Sequence, residues 1–293
     1  MSACAILAFF SPCEYRLPQQ HLASTLKWLV DADVKVILAQ AILPGQRPQY
    51  APPSVSSMVY HTSDIMFFKE NLWNLAARST NAEALFFFDA DIVMSCHSWL
   101  SRALKALESA DVIQPYEVAT WLKPDKTPDY CRPPSAIALA RGEHPDPGKY
   151  HPGFAWGMTR KAFDALGGWF DRHPSGGADT AFVYAHRPLS AAMSHRLDTA
   201  VHGSFAKSPG YTAYTRKATR LALRFGIAPG LTARHLWHGS FRDRRYVTRN
   251  EVIQPSLSGD FPVHYRDDGL LEWDDDALNR PSREYFRSRK EDG

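Results

Sequence analysis

The feature that most constrains the fold is a run of five apolar residues, ALFFF at 84–88, that ends at the tripeptide Asp-Ala-Asp at 89–91. A short, wholly apolar run bounded by polar residues is typical of a strand that is buried on both faces of a parallel sheet. Two further runs of this kind, at 3–10 and 34–39, are also interpreted as buried strands. The runs at 3–10 and 84–88 are each followed by a segment with helical spacing of apolar residues, at 19–30 and 98–107, so the chain predicts strands alternating with helices.

The remaining expected elements are strands at 58–60, 111–114 and 153–159 and helices at 19–30, 69–79, 98–107 and 160–166. The region 115–152 is rich in proline and is interpreted as loops. Alternating strands and helices predict an α/β fold with a doubly wound sheet. Ligands of such sheets collect at the carboxyl ends of the strands, which is where the two aspartates lie.

Composition is that of an ordinary globular protein, with 293 residues, 44% hydrophobic and 22% charged. We expect a single catalytic domain at 1–250 and a tail at 251–293 that wraps around it or is partly disordered. The apolar run at 3–10 lacks a basic start and is too short to span a bilayer. The four cysteines show no metal-type pair spacing. These features predict a cytoplasmic protein with no transmembrane segment.

Two pairs of side chains are candidate metal ligands. Asp89 and Asp91 leave the sheet at its open edge, where carboxylate oxygens suit Mn²⁺ or Mg²⁺. His235 and His238 are three residues apart, a spacing at which two imidazoles can face one ion. The alternatives are that the acids are solvated turn residues and that the histidine pair has no joint role.

A glycine-rich and aromatic region lies between these two pairs. It includes Trp156 and Gly157, a turn at 167–170, and Gly177 two residues before Asp179. Glycines allow close approach of a ligand to the backbone, and aromatic faces can stack on a sugar ring. Asp179 is placed to act as a general base, although a turn and a helix N-cap explain the same residues structurally.

The order of these motifs resembles that of GT-A glycosyltransferases, and it is most similar to the beta-1,4-galactosyltransferase group and its bacterial and phage relatives. The resemblance covers roughly residues 6–245. It implies a GT-A, Rossmann-like mixed sheet and transfer of a sugar from a nucleoside diphosphate to an acceptor hydroxyl. It also implies Mn²⁺ (or Mg²⁺) and a nucleotide-sugar donor, with uridine as the usual nucleoside of that family.

The resemblance implies a role for each candidate residue. Asp91 matches the acid that binds the metal, and Asp89 matches the first acid, near the sugar and the ribose, and is included among the candidate metal ligands. His238 matches the distal metal histidine, and His235 falls where the family has a further ligand. Asp179 matches the catalytic base.

The nucleotide would lie near Ser11, Pro12 and Arg16, which follow the first strand, and the helix at 69–79 would support the donor through its basic residue and asparagine. The full donor-binding set predicted from the sequence is Ser11, Pro12, Arg16, Lys69, Asn74, Asp89, Ala90, Asp91, Trp156, Gly157, Gly177 and Arg242. Arg242 is chosen as the cation that stabilises the departing diphosphate. The family's tryptophan-rich approach to the catalytic acid is replaced here by Arg-His-Pro-Ser at 172–175, which leaves the sugar and the acceptor open.

The acceptor is predicted from one feature, a stretch at 207–249 with ten Lys or Arg residues, one acid and interleaved aromatics. Such a stretch suits a polyanion, and a hydroxymethylated base in phage-type DNA is one expected acceptor. A cell-surface polysaccharide or a lipid-linked sugar is the alternative, in which case the cations form a solvated face. Inversion of the sugar is expected and retention is left open.

Two other classes of protein are considered. A non-catalytic sugar-nucleotide or nucleic-acid binder would need neither a metal clamp nor a base. A nucleotidyltransferase would carry a glycine-rich phosphate loop after the first strand, and the sequence FSPCE at 10–14 contains no glycine.

Overall fold

A computed structural model describes residues 1–146, 148–187, 190–191, 195, 205–240 and 262–293. The strands within these residues are β1 (Ala3–Phe9), β2 (Lys35–Ile42), β3 (Val55–His61), β4 (Ala84–Phe88), β5 (Ile92–Met94), β6 (Val112–Gln114), β7 (Val118–Leu122), β8 (Pro128–Arg132), β9 (Ala155–Thr159), β10 (Phe225–Ile227), β11 (Thr232–His235), β12 (Val263–Tyr265) and β13 (Leu271–Trp273). The α-helices are α1 (Arg16–Asp31), α2 (Lys69–Arg78), α3 (Trp99–Leu107), α4 (Ser135–Ala140), α5 (Arg160–Leu166), α6 (Ala178–Ala185), α7 (Pro209–Leu221) and α8 (Asn279–Ser288). Short 3-10 helices lie at Phe205–Lys207 and Asp276–Leu278.

The main sheet has seven strands in the order β10–β6–β9–β4–β1–β2–β3. Strand β9 is antiparallel to its neighbours β4 and β6, and the other pairs are parallel. Because β9 is reversed, its first residues lie at the edge where β1 and β4 end. The carboxyl ends of β1 and β4 and the amino end of β9 therefore meet at this edge.

Strand β4 is buried on both faces, as its apolar run predicts. Leu85 and Phe87 pack into one core with α2, α5 and α6, whereas Phe86 and Phe88 pack into the opposite core with α1 and α3. Helices therefore cover both faces of the sheet. The predicted α/β class with a doubly wound mixed sheet is confirmed, and β4 and α5 begin and end at the expected residues.

A second sheet, in the order β5–β11–β7–β8, corrects the interpretation of 115–152 as loops. Strands β7 and β8 and helix α4 lie in that region. Its prolines occupy positions that these elements tolerate, since Pro124 lies in the turn of the hairpin, Pro128 begins β8 and Pro134 precedes α4. The number of prolines in this region therefore does not exclude regular secondary structure, since what matters is where they lie.

Residues 262–293 pack on the main sheet domain. Leu271 and Trp273 are buried in the same core as α2, and the Trp273 indole donates a hydrogen bond to the Ile65 carbonyl at 3.2 Å. The expected boundary between residues 250 and 251 lies outside the described residues. Among the helices that the structure describes, none has the length and apolar character needed to cross a membrane.

Asn74 of α2 holds the turn that follows α5. Its amide donates to the Trp169 carbonyl and to an Asp171 carboxylate oxygen, both at 2.9 Å, and its oxygen accepts from the Trp169 N–H at 2.8 Å. Gly168 has a φ of +94°, and a Cβ there would lie 2.5 Å from the Asn74 oxygen. This turn begins the segment that leads to Asp179.

We expect Asn74→Ala to lower the free energy of unfolding by about 3 kcal/mol, because three buried hydrogen bonds are lost and their partners stay buried. Chemical denaturation measures this change. The exposed Asn81→Ala variant is the control and should change stability by less than about 0.5 kcal/mol. Equal effects of the two substitutions would contradict the role given to Asn74.

Candidate functional site

The candidate site is built where β4 ends beside the start of β9. Phe88 pairs with Ala155, and the Asp89 N–H donates to the Phe154 carbonyl at 2.9 Å. The Phe154 N–H in turn donates to the Asp89 carboxylate at 3.2 Å. These bonds hold Asp89 at the edge of the sheet and direct the chain through Ala90 to Asp91.

Asp91 is brought to two histidines by the pairing of β5 with β11. His235 pairs with Ile92, and the Leu236 N–H donates to the Asp91 carbonyl at 2.9 Å. As a result the Asp91 Oδ2 atom lies 2.8 Å from His238 Nε2 and 3.4 Å from His235 Nε2. One ligand atom from each of the three residues lies within 4.8 Å of the other two.

The electrostatics of this cluster suit a divalent cation. Burial alone would raise the pKa of the Asp91 carboxyl, but the two imidazoles more than offset that effect and hold its pKa well below the usual range. The other carboxylate oxygen, Oδ1, is buried and has no hydrogen-bond partner among the described residues. A carboxylate with a bare oxygen beside two imidazoles matches the mixed oxygen and nitrogen ligation that metals such as Mn²⁺ accept.

Asp89 has a different set of contacts from Asp91. Its Oδ1 atom lies 3.0 Å from Lys69 Nζ, and Lys69 Nζ also lies 3.3 Å from the Glu70 carboxylate. The Asp89 carboxylate is therefore held by a lysine and a backbone N–H, outside the Asp91, His235 and His238 cluster. Asp89 is thus not part of the group of candidate ligand atoms, and its place near the sugar stays a prediction.

Burial and the charges of neighbouring groups shift the pKa values of Lys69 and of the acids around it. Burial raises the pKa of Glu70 to about 7, against the lowering effect of Lys69. Burial also raises the pKa of Asp89, again opposed by Lys69. Burial alone would lower the pKa of Lys69, but Asp89, Glu70 and Asp179 together hold it well above its usual value. Lys69 thus stays charged and is shared by these carboxylates.

Asp179 stands in the first turn of α6, where the Thr180 N–H donates to its Oδ1 at 2.8 Å. A Cβ on Gly153 would lie 2.7 Å from Asp179 Oδ2 and 3.2 Å from His151 Nε2. The absence of a side chain at Gly153 therefore makes room for the carboxylate and the imidazole. Burial lowers the pKa of His151 to about 3, against the opposing effect of Asp179, so that this imidazole is neutral.

These groups surround one cavity of about 390 Å³. The side chains in its lining that carry polar or charged groups are Ser11, Cys13, Tyr15, Lys69, Glu70, Asp89, Asp91, Trp121, Tyr130, Arg132, His151, Asp179, His235, His238, Arg289 and Glu291. A space of this volume falls in the range typical of small-molecule sites. The metal-type cluster and the candidate base open into the same space.

The structure brings together most of the residues predicted from the sequence. Those that line the cavity are Ser11, Pro12, Lys69, Asp89, Ala90, Asp91, Gly177, Asp179, His235 and His238. The predicted phosphate-binding Arg242 lies outside the described residues.

Four predicted donor-binding residues lie away from the cavity. Asn74 supports the turn after α5, and Arg16 begins α1. Trp156 is buried in the core with its indole N–H bonded to the Pro152 carbonyl at 2.8 Å. Gly157 lies in β9, where a Cβ would be 2.7 Å from the Phe86 ring.

The lining also contains residues that the sequence did not predict, among them Tyr15, Glu70, His151 and two larger groups. Trp121, Tyr130 and Arg132 come from β7 and β8, a region interpreted as loops; the two rings stack with centroids 4.3 Å apart. Arg289 and Glu291 come from the expected tail. Strand β7, VATWL, has no clear alternation of apolar and polar residues, and nothing in the local sequence marks either group.

Comparisons with known proteins find similarity only among solved structures. No family model matches the chain, and no curated protein matches it. Mannosyltransferase PcManGT from Pyrobaculum calidifontis, in complex with GDP-Man and Mn²⁺, is 15% identical over 75% of this chain and 69% of that chain, with a TM-score of 0.39. TarS 1-349 from S. aureus, in complex with UDP-GlcNAc, is 13% identical over 42% and 34%, with a TM-score of 0.28. HddC from Yersinia pseudotuberculosis is 11% identical over 55% and 78%, with a TM-score of 0.31.

We expect Asp91→Asn to weaken Mn²⁺ binding by at least about tenfold, because even the loss of an outer partner of a metal ligand typically costs that much. Electron paramagnetic resonance of free Mn²⁺ measures this affinity without any substrate. Asp31→Asn, on an exposed part of α1, is the control and should bind Mn²⁺ as the wild type does. Unchanged binding in Asp91→Asn would exclude the cluster as the ion site.

A second prediction concerns Glu70 and the dependence of protein stability on pH. Its pKa of about 7 in the folded protein exceeds the ordinary value of 4.5, so the folded state keeps a proton that the unfolded chain has released. Stability contributed by this group is therefore present below about pH 4.5 and is lost as the pH rises through about 7, by up to about 3 kcal/mol. We expect Glu70→Gln to lose less stability than the wild type between about pH 5 and about pH 8.

Urea denaturation at several pH values measures this difference, with the exposed Glu143→Gln variant as the control. The control should follow the wild-type curve. Parallel curves for the wild type and Glu70→Gln would show that Glu70 ionises normally in the folded protein.

Proposed function

We propose that this protein is a metal-dependent glycosyltransferase that moves a sugar from a nucleoside diphosphate to an acceptor hydroxyl. The observation that carries the proposal is the arrangement around one cavity of an Asp91, His235 and His238 cluster and a separate carboxylate, Asp179. The order of the same residues along the chain is what resembles GT-A glycosyltransferases. A cation cluster and a base that share a cavity suit a reaction with an anionic leaving group and a hydroxyl nucleophile.

The donor would lie along the edge of the sheet between the end of β1 and the end of β4. Ser11 and Pro12 follow β1, and Ala90 separates the two aspartates, so that these residues would border the nucleotide. A bound divalent ion neutralises the charge that develops on the departing diphosphate. Asp91, His235 and His238 would hold that ion. Uridine as the nucleoside follows from the family resemblance alone.

The chemical step proposed is a direct displacement at the anomeric carbon. Asp179 accepts the proton of the acceptor hydroxyl while the hydroxyl oxygen bonds to the anomeric carbon. The bond between that carbon and the diphosphate oxygen breaks, and its electron pair leaves with the nucleoside diphosphate. The hydrogen bond from the Thr180 N–H to Asp179 Oδ1 orients the carboxylate for this role.

We further propose that the sugar is inverted. Retention through a covalent intermediate would require a second carboxylate that can attack the anomeric carbon. Asp89 and Glu70 both line the cavity, and both form ion pairs with Lys69. Using either of them as a nucleophile would break a buried ion pair.

The acceptor that we propose is a carbohydrate hydroxyl. Modified DNA is the other acceptor that the sequence suggests, because aromatics alternate with cations at 207–249. Tyr211 of this stretch, however, is buried, and its hydroxyl donates to the Ala181 carbonyl at 2.7 Å. Tyr214 packs on Phe170 and donates to the Gly168 carbonyl at 3.2 Å. These rings support the core of α6 and α7, so they offer no stacking surface for bases. A hydroxymethylated base in DNA is still included among the acceptors in the assay described next.

A catalytic role for Asp179 separates this proposal from a non-catalytic binding protein. We expect the wild type with Mn²⁺ to release nucleoside diphosphate from a nucleotide sugar and EDTA to abolish the release. In Asp179→Asn the turnover should fall by about 10²–10⁴-fold, the usual contribution of a general base, while UDP binding is kept. A panel of UDP- and GDP-sugars with oligosaccharides, lipid-linked sugars or hydroxymethylated DNA, read by mass spectrometry, measures turnover and product.

Asp164→Asn removes an acid of the same kind from the exposed face of α5 and is the control. Its turnover should equal that of the wild type. Full activity of Asp179→Asn would remove the proposed base, and nucleotide binding without turnover of any donor would favour the binding protein.

A further inference from the structure

Residues 286–293 form part of the cavity lining through Phe286, Arg289 and Glu291, and contacts at several points hold the segment there. The Tyr15 hydroxyl donates to the carbonyls of Phe286 and Arg287, each at 3.2 Å, and also contacts the Arg289 carbonyl. Tyr15 follows β1 and is itself part of the cavity lining. The 286–293 segment is therefore attached to the loop where the nucleotide would bind.

Asp292 attaches the same segment to the start of α1. Its carboxylate accepts hydrogen bonds from the Leu17 N–H at 2.7 Å and the Arg16 N–H at 3.1 Å. Helix α1 has no side-chain cap of its own and no acid in its first turn. Asp292 thus supplies both the missing cap and the negative charge that a helix N-terminus favours.

A third attachment lies at the loop that carries His238. Gly239 has a φ of +92°, and a Cβ there would lie 2.5 Å from the Lys290 carbonyl oxygen. A Cβ on Gly293 would lie 2.6 Å from the Trp237 ring. The 286–293 segment therefore packs closely on both sides of His238.

This packing carries two charged side chains into the cavity. Arg289 has a side chain only 7% exposed, with its guanidinium 5.4 Å from the centre of the Phe67 ring and 5.8 Å from that of Phe286. One of its terminal nitrogens, Nη2, forms an ion pair with Glu291. The Glu291 oxygen in this ion pair, Oε1, also lies 3.7 Å from His238 Nδ1.

The need for a cation at this place follows from the charges of the cavity. Asp89, Glu70 and Asp179 share Lys69, so this lysine is already balanced by acids. Arg289 lines the same cavity as the loop after β1, and its partner Glu291 lies 3.7 Å from His238 of the Asp91, His235 and His238 cluster. A guanidinium held on aromatic rings is ordered before a ligand arrives, and its planar fork suits phosphate oxygens.

We propose that Arg289 binds the diphosphate of the nucleotide donor and that Glu291 is a positioning residue that orients both Arg289 and His238. The inference rests on the proposed function, since it assigns a contact to the same donor. It makes the 286–293 segment part of the active site, where the sequence suggested only a tail.

The test is calorimetric titration of UDP, and separately GDP, into the full chain with Mn²⁺. We expect Arg289→Gln to weaken binding by at least about tenfold, as loss of a charge-assisted contact does, and Arg289→Lys to recover part of it. Arg280→Gln removes the same charge from an 87% exposed position on α8 and should bind as the wild type does. Mn²⁺ affinity without nucleotide should be unchanged in Arg289→Gln and weakened by about tenfold in Glu291→Gln.

The outcomes separate this inference from the proposed function. If the wild type binds neither nucleotide, the proposed function fails. If the wild type binds and Arg289→Gln binds equally well, the assignment of Arg289 is overturned while the proposed function stands. Loss of Mn²⁺ binding or of the native circular dichroism spectrum in Arg289→Gln would also overturn it, because the residue would then be structural.

Discussion

The pairing of β5 with β11 is the constraint on which the candidate site depends. Asp91 precedes β5 and His235 ends β11, so these residues are far apart in sequence and meet only through this antiparallel register. The same register sends the chain past Leu236 to His238, whose Nε2 lies 2.8 Å from Asp91. Strand β11 also pairs with β7, which places the Trp121 side of the second sheet on the cavity. A metal-type cluster and one wall of the cavity therefore arise from the same small sheet.

Two groups of charged side chains line the cavity. In the first, Asp89, Glu70 and Asp179 hold the pKa of Lys69 well above its usual value. In the second, Asp91 contacts His235 and His238, and Glu291 links His238 to Arg289. In the proposed function, the first group holds the sugar and accepts the proton, and the second group binds the anionic leaving group.

Much of the fold could be predicted from local patterns, because the buried strands β1, β2 and β4 of the main sheet are short apolar runs. The position of Asp91 at the carboxyl edge of the sheet could be predicted, because the tripeptide Asp-Ala-Asp directly follows such a run. The place of Trp121 could not, since β7 is short, lies among prolines and is stabilised by pairing with distant strands. The position of Arg289 could not be predicted either, because it depends on tertiary contacts of Tyr15 and Gly239 and not on any local motif.

In the proposed function, the cluster formed by Asp91, His235 and His238 binds a divalent ion that faces a nucleoside diphosphate. Anomalous diffraction at the manganese edge, from crystals grown with Mn²⁺ and UDP, is the measurement that tests this binding. We expect a single strong peak within bonding distance of the Asp91 carboxylate and both Nε2 atoms, with diphosphate oxygens completing the coordination. UDP bound in the cavity with no peak at this cluster, or with the ion held elsewhere, would contradict it.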